Sequence, residues 1–173
     1  MSRRTLLTAA TALTITLVFG VGPAHAVIKN GGPGDDRLDG TAQRDILRGK
    51  QGDDRLFGYA GNDNLIGGTG DDELKGGPGG DDIVGGGGDD RLVAGFDDVR
   101  DYALGLIGDD VIYVWGDDEA DGGEGDDRIF ATYPSAGMRI DCGSGEDTLV
   151  LNEEPGPAVG IAGCEEVEVR SAG

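Results

Sequence analysis

GGTGDDELK GGPGGDDIV, residues 67–84, is one nine-residue pattern written twice. Each copy opens on two glycines, with a third glycine at position 4, an aspartate at position 6 and one aliphatic residue at position 8. Outward from these two copies the frame runs without a gap from Gly31 to Val93: GGPGDDRLD, GTAQRDILR, GKQGDDRLF, GYAGNDNLI, GGTGDDELK, GGPGGDDIV, GGGGDDRLV. Position 6 is aspartate in all seven units: Asp36, Asp45, Asp54, Asp63, Asp72, Asp81 and Asp90. Position 8 is Leu or Ile throughout, and position 4 is Gly except at Gln43. A fixed period of this kind marks a repeat architecture in which each unit stacks on its neighbours.

Beyond residue 93 the frame slips. AGFDDVRDYAL (94–104) keeps only a pair of aspartates, GLIGDDVIY (105–113) is in frame, and VWGDDEAD (114–121) is one residue short. GGEGDDRIF (122–130) matches fully, eleven residues follow, and CGSGEDTLV (142–150) matches with Cys142 in the first-glycine slot. These units add Asp110, Asp127 and Asp147 at position 6, and Asp118 in the equivalent place of the shortened unit. The segment 94–173 also holds longer, more aromatic strand candidates: VIYVW (111–115), RIFATY (128–133), MRI (138–140), TLVL (148–151) and EEVEV (165–169). Wider coils and a C-terminal β cap over the open end are expected there, since an exposed strand edge invites aggregation.

The residue types at these steps have a common chemical purpose. Glycine at positions 1, 2 and 4 permits positive φ and turns carbonyls inward. Hard cations such as Ca²⁺ take six to eight oxygen ligands; carbonyls supply neutral oxygens and the position-6 carboxylates supply charge. In a three-residue strand only position 8 points inward, which gives a thin aliphatic core. Such a core is too small to offset the ordering of a glycine-rich backbone at ~1–2 kcal/mol per residue, so bound metal has to supply the difference.

The pattern resembles the RTX, or haemolysin-type calcium-binding, nonapeptide repeat, over roughly residues 31–150. The resemblance implies an all-β fold, a right-handed parallel β-roll in which six residues turn and three form a strand. Two units complete a coil, alternate turns lie on opposite edges, and calcium sits between neighbouring turns of one edge. It implies Ca²⁺ ligation by the eleven aspartates named above, with carbonyls from Gly31, Gly49, Gly58, Gly67, Gly76 and Gly85. Relatives of this kind often carry a protease, lipase or toxin domain and an uncleaved C-terminal secretion signal. Here the repeat fills nearly all of the chain after residue 26, and the export signal is N-terminal.

Composition bounds the rest. Of 173 residues, 1–26 read as a cleaved export signal: Arg3 and Arg4, an apolar stretch from Leu6 to Val21, and Ala24-His25-Ala26 as a small-x-small cleavage site. SRRTLL is compatible with a twin-arginine route as well as general secretion. The remaining domain, 27–173, has 12 basic and 34 acidic residues, a charge of −22. That charge opposes compaction and excludes nucleic acid as a partner. The apolar stretch is short for a membrane span. His25 is the only histidine, so the domain lacks the commonest general base and zinc ligand. Cys142 and Cys164, an even pair in an exported domain, are expected to form a disulfide that staples the C-terminal end.

Competing readings fail on particular residues. A disordered Gly/Asp linker has no reason to keep an aliphatic residue at one step of nine. The nearest EF-hand frame, from Asp117, has Arg128 at its twelfth position where a bidentate Glu is required. No Gly-Lys-Ser/Thr follows the glycine runs, which excludes a phosphate loop. The expectation is therefore a secreted, non-enzymatic calcium-binding protein. A calcium-stabilised binding module for a cell-surface or matrix protein or glycan is the alternative, supported by Phe57, Ile66, Val84 and Val93 at the outward position 9. A hydrolase stands further back.

Overall fold

The computed structural model describes residues 25–156 and 159–170; the export-signal reading and the ends of that segment fall largely outside them. Sixteen strands follow in chain order: β1 (Ile28–Asn30), β2 (Arg37–Thr41), β3 (Ile46–Gln51), β4 (Arg55–Tyr59), β5 (Asn64–Thr69), β6 (Glu73–Lys75), β7 (Asp82–Gly87), β8 (Arg91–Val93), β9 (Tyr102–Ile107), β10 (Val111–Trp115), β11 (Glu119–Glu124), β12 (Arg128–Thr132), β13 (Arg139–Ser144), β14 (Thr148–Leu151), β15 (Gly160–Ala162) and β16 (Glu166–Val169). There is no helix among the described residues. Odd strands form one eight-stranded sheet and even strands the other, both entirely parallel. The chain crosses from sheet to sheet at every turn, so the fold is a parallel β-solenoid of about eight coils, as expected for a β-roll.

Alternation along each strand fills the narrow space between the sheets. Leu38, Leu56, Leu74, Leu92, Ile112, Ile129 and Leu149 stack in register in the even sheet. Leu47, Leu65, Ile83, Ala103, Ala120 and Ile140 stack in the odd sheet. All thirteen are buried. From Ala94 onward a second inward row joins them, Ala94, Val114, Ala131, Cys142 and Leu151, and it widens the core. The expected wider C-terminal coils are thus real, and the last coil, β15 and β16, continues the same two sheets. The Cys142–Cys164 disulfide is formed, with Cα atoms 5.0 Å apart, and ties β13 to the turn before β16.

The slipping frame has a simple spatial meaning. On the first edge, where odd strands lead into even ones, nine residues separate successive core positions from Leu47 and Leu56 through to Ile140 and Leu149. On the second edge the spacing is nine up to Ile83, then eleven from Leu92 to Ala103, eight from Ile112 to Ala120 and eleven from Ile129 to Ile140. Up to Leu149, every irregular length lies on the second edge.

Candidate metal centre

Position-6 carboxylates are buried along both edges, because each Asp side chain folds under its own turn. Asp45, Asp54, Asp63, Asp72, Asp81, Asp90, Asp110, Asp118, Asp127 and Asp147 are at most 2 % exposed; Asp36, in the outermost turn, is half-buried. On the first edge the backbone N–H of each of Asp36, Asp54, Asp72, Asp90, Asp110 and Asp127 donates to Oδ1 of the next aspartate in that column. The column ends with Asp147 donating to Glu165. On the second edge the same ladder runs Asp45, Asp63, Asp81, Asp101, Asp118. All rungs measure 2.7–3.0 Å.

Asp101 and Glu165 lie outside the nine-residue frame. In 94–104 the frame is anchored on its glycine, and two added residues move the aspartate from the sixth place to the eighth. Asp101-Tyr102-Ala103 still spells the carboxylate–strand–core triplet, and that triplet is the signal that locates it. On the second edge the next place in register is Met138, fully buried, so the carboxylate column stops at Asp118.

Position-5 aspartates form a second, exposed ladder on the first edge. The N–H groups of Asp53, Asp71, Asp89, Asp109, Asp126 and Glu146 each donate to the position-5 Oδ1 of the preceding coil, at 2.9–3.0 Å. Adjacent turns are therefore tied twice, in opposite directions.

The second oxygen of the buried carboxylates shows what the centre is built to receive. Oδ2 of Asp54, Asp63, Asp72, Asp81, Asp90, Asp110, Asp127 and Asp147 is buried with no hydrogen-bond partner. Leaving a buried charged acceptor unpaired costs at least ~1–3 kcal/mol. Six of these eight oxygens lie on the first edge. Exceptions elsewhere have local donors: Gly32 N–H serves Asp36 at 2.6 Å, Thr41 serves Asp45, and Trp115 N–H serves Asp118 at 2.8 Å.

Seven of the eight orphaned oxygens face a space that only glycine leaves open; the exception is that of Asp147, where Cys142 takes the glycine's place. A Cβ at Gly49, Gly58, Gly67, Gly76, Gly105 or Gly122 would collide with Oδ2 of the aspartate five residues on and with a carbonyl of the next coil, that of Gly67, Gly76, Gly85, Ala94, Gly122 or Cys142 respectively. Position 1 is thus glycine for close approach. Positive φ belongs to positions 2 and 4, as at Gly68 (129°) and Gly70 (118°), which corrects the expectation of positive φ at all three. Carboxylate oxygen and main-chain carbonyl converging on a side-chain-free pocket fit a hard, oxygen-seeking cation. Among the described residues no three His, Cys, Asp or Glu side chains converge, so most oxygens around such a cation would come from the main chain. On the second edge the pocket closes: position 1 becomes Ala94, Val114, Ala131 and Leu151.

Burial, and secondarily neighbouring carboxylates, raises the pKa values along the columns. Asp81 is pushed up to about 8, Asp90, Asp101 and Asp110 to about 7, and Asp72, Asp118 and Asp127 to about 6. The N–H rung on each Oδ1 opposes this only in part. These are groups that need a proton or a cation.

The family model of the RTX calcium-binding nonapeptide repeat (4 copies) matches residues 30–65, 57–92 and 66–100. Residues 30–100 are RTX calcium-binding repeats. No curated protein and no solved structure matches it significantly. RTX repeats bind calcium and occur typically in secreted proteins, in a structural or binding capacity. Among the described residues no helix is long and apolar enough to cross a membrane.

Proposed function

We propose that this protein is a secreted calcium-binding protein whose folding is coupled to calcium. The observation that carries this is the row of eight buried Oδ2 atoms without a partner, seven of them beside an open glycine pocket and six of those also beside a carbonyl of the next coil. The reading assigns one ion to each interval between successive turns: Asp36/Asp54, Asp54/Asp72, Asp72/Asp90, Asp90/Asp110, Asp110/Asp127 and Asp127/Asp147 on the first edge, Asp45/Asp63 and Asp63/Asp81 on the second. Carbonyls of Gly31, Gly49, Gly58, Gly67, Gly76 and Gly85 complete the regular sites. Export would follow removal of residues 1–26, and extracellular calcium then drives compaction of a chain of charge −22. The protein is not an enzyme in this reading.

Metal that binds the folded but not the unfolded chain adds its binding energy to stability. Circular dichroism in chelator should show little strand signal, rising at about 10⁻⁴–10⁻³ M calcium, the range of extracellular modules. Magnesium should substitute poorly, because it demands tight octahedral geometry. Equal strand content with and without calcium would overturn the proposal.

A second reading, a calcium-stabilised module for a surface protein or glycan, is favoured by one observation. Phe96 (68 % exposed) and Tyr133 (53 % exposed) pack on either side of Trp115 on the second edge, at 5.7 and 4.5 Å between ring centroids. The position-9 residues support it less: Phe57 and Val93 lie in the even sheet, Ile66 and Val84 in the odd one, and all are half-buried.

A further inference from the structure

The two ends of the solenoid are chemically different. At the N-terminal end Lys29 stands in register with the core residue Leu47, and its ammonium donates to the carbonyl of Asp39 on β2 at 2.5 Å. An ammonium over the terminal strands discourages further stacking there. At the other end β16 pairs with β14 on its inner side, and no described strand covers its outer side. Val167 and Val169 are in register with Leu149 and Leu151, which are fully buried, yet they remain 46 % and 39 % exposed. Ile161, on neighbouring β15, is 36 % exposed. The core is thus left open at this end, flanked by hydrogen-bonding groups of a strand edge.

The sequence of β16 and its following residue, Glu166-Val167-Glu168-Val169-Arg170, is self-complementary when laid antiparallel on itself. With Glu168 at the centre, Val167 falls opposite Val169 of a second copy, on the core side. Glu166 falls opposite Arg170 of the second copy, on the outer side. Arg170 already holds Glu168 of its own chain through Nε at 3.0 Å and Nη2 at 2.5 Å. Each central carboxylate therefore brings its own cation to the axis, and the same guanidinium lies within one strand spacing of Glu166 of the second copy. Opposite-charge and β-branched cross-strand pairs are the stabilising units of such a ladder. A two-fold operation uses the same patch on both chains and closes on itself. Stacking this end on the N-terminal end of another copy would instead bury Lys29.

We propose that the outer edge of β16 docks a second copy of this chain, antiparallel about a two-fold axis at Glu168, so that both sheets and the core run through the junction. Sedimentation of the purified protein in millimolar calcium, across a hundredfold range of concentration, should show a monomer–dimer equilibrium. Glu166→Lys alone and Arg170→Glu alone should each shift it at least tenfold toward monomer. The double variant, with the charges exchanged, should restore it. Because the native cysteines are bonded to each other, Glu168→Cys introduces a single thiol, and mild oxidation should yield a covalent dimer. Strand signal is recorded on the same samples. A monomer of full strand signal at all concentrations, a ladder of larger assemblies, or failure of the Glu168→Cys variant to cross-link would each overturn the proposal. A chain without strand signal in calcium would overturn calcium-coupled folding, and this surface with it.

Discussion

Glycine at position 1 and glycine elsewhere in the turn have different reasons to be there, and single substitutions separate them. Gly67 has ordinary φ but no room: its Cβ would meet Asp72 Oδ2. Gly87, at position 3, has nothing within 4 Å of a Cβ. Gly67→Ala should raise the calcium midpoint of folding, since a displaced charged ligand costs ~1.5–3 kcal/mol, about ten- to a hundredfold in affinity at one site. Gly87→Ala should leave the midpoint nearly unchanged; calcium titrations followed by circular dichroism distinguish the two. The raised carboxylates give a second residue-scale expectation. Folded Asp81 and Asp90 hold protons up to about 8 and about 7, whereas unfolded aspartates release them near the ordinary value of 3.8. Between these limits the folded state binds more protons, so calcium-free stability is greatest in acid, falls as pH rises from the ordinary value of 3.8, and levels off above about 8. In chelator, strand signal should be larger at pH 5 than at pH 8. In calcium the dependence reverses, because protons compete for Oδ2, and the calcium midpoint should rise as pH falls. A calcium-free chain equally unfolded at both pH values would contradict the assignment.

At the scale of turns and strands, the two edges are predicted to behave differently. Asp110 on the first edge has a partnerless Oδ2 beside Gly105, whereas Asp118 on the second is satisfied by Trp115 N–H beside Val114. Asp110→Asn should reduce the number of ions bound, as read by calorimetric titration with calcium, by one or two. Asp118→Asn should leave that number unchanged. How much of this was legible follows from which residues carry the signal. The regular strands and all the aspartates with orphaned Oδ2 atoms could be found from the glycine–aspartate–aliphatic frame, because each unit there is a local steric statement. Asp118 could be found as a position in the frame, but its N–H donor could not, since the donor depends on a shortened turn. Asp101 was hidden by two inserted residues, Glu165 by a change of side chain, and the termination at Met138 by register alone. Assigning odd and even units to separate edges needs only counting, yet its meaning appears once the pockets behind Val114 and Ala131 are seen to be closed.

Over the whole molecule each coil contacts only its neighbours, so stability is a sum of local terms. The Cys142–Cys164 link closes a loop worth about 3 kcal/mol in the chain-entropy picture. Replacing both cysteines with serine should therefore speed amide exchange in β13 to β16 while sparing β3 to β8, where the regular repeats lie; uniform acceleration along the chain would show that the link supports the entire stack. The confinement of irregular lengths to one edge carries a further consequence. The first edge works like the spine of a book, holding a constant pitch, while the second behaves like the fore-edge, where leaves of unequal width do no harm. Extra residues between Pro134 and Gly137 would be carried outward at a fixed height without shifting a single carboxylate on the spine. The molecule is, in that sense, a ruler with one graduated side and one side on which foreign peptides can be mounted at chosen marks.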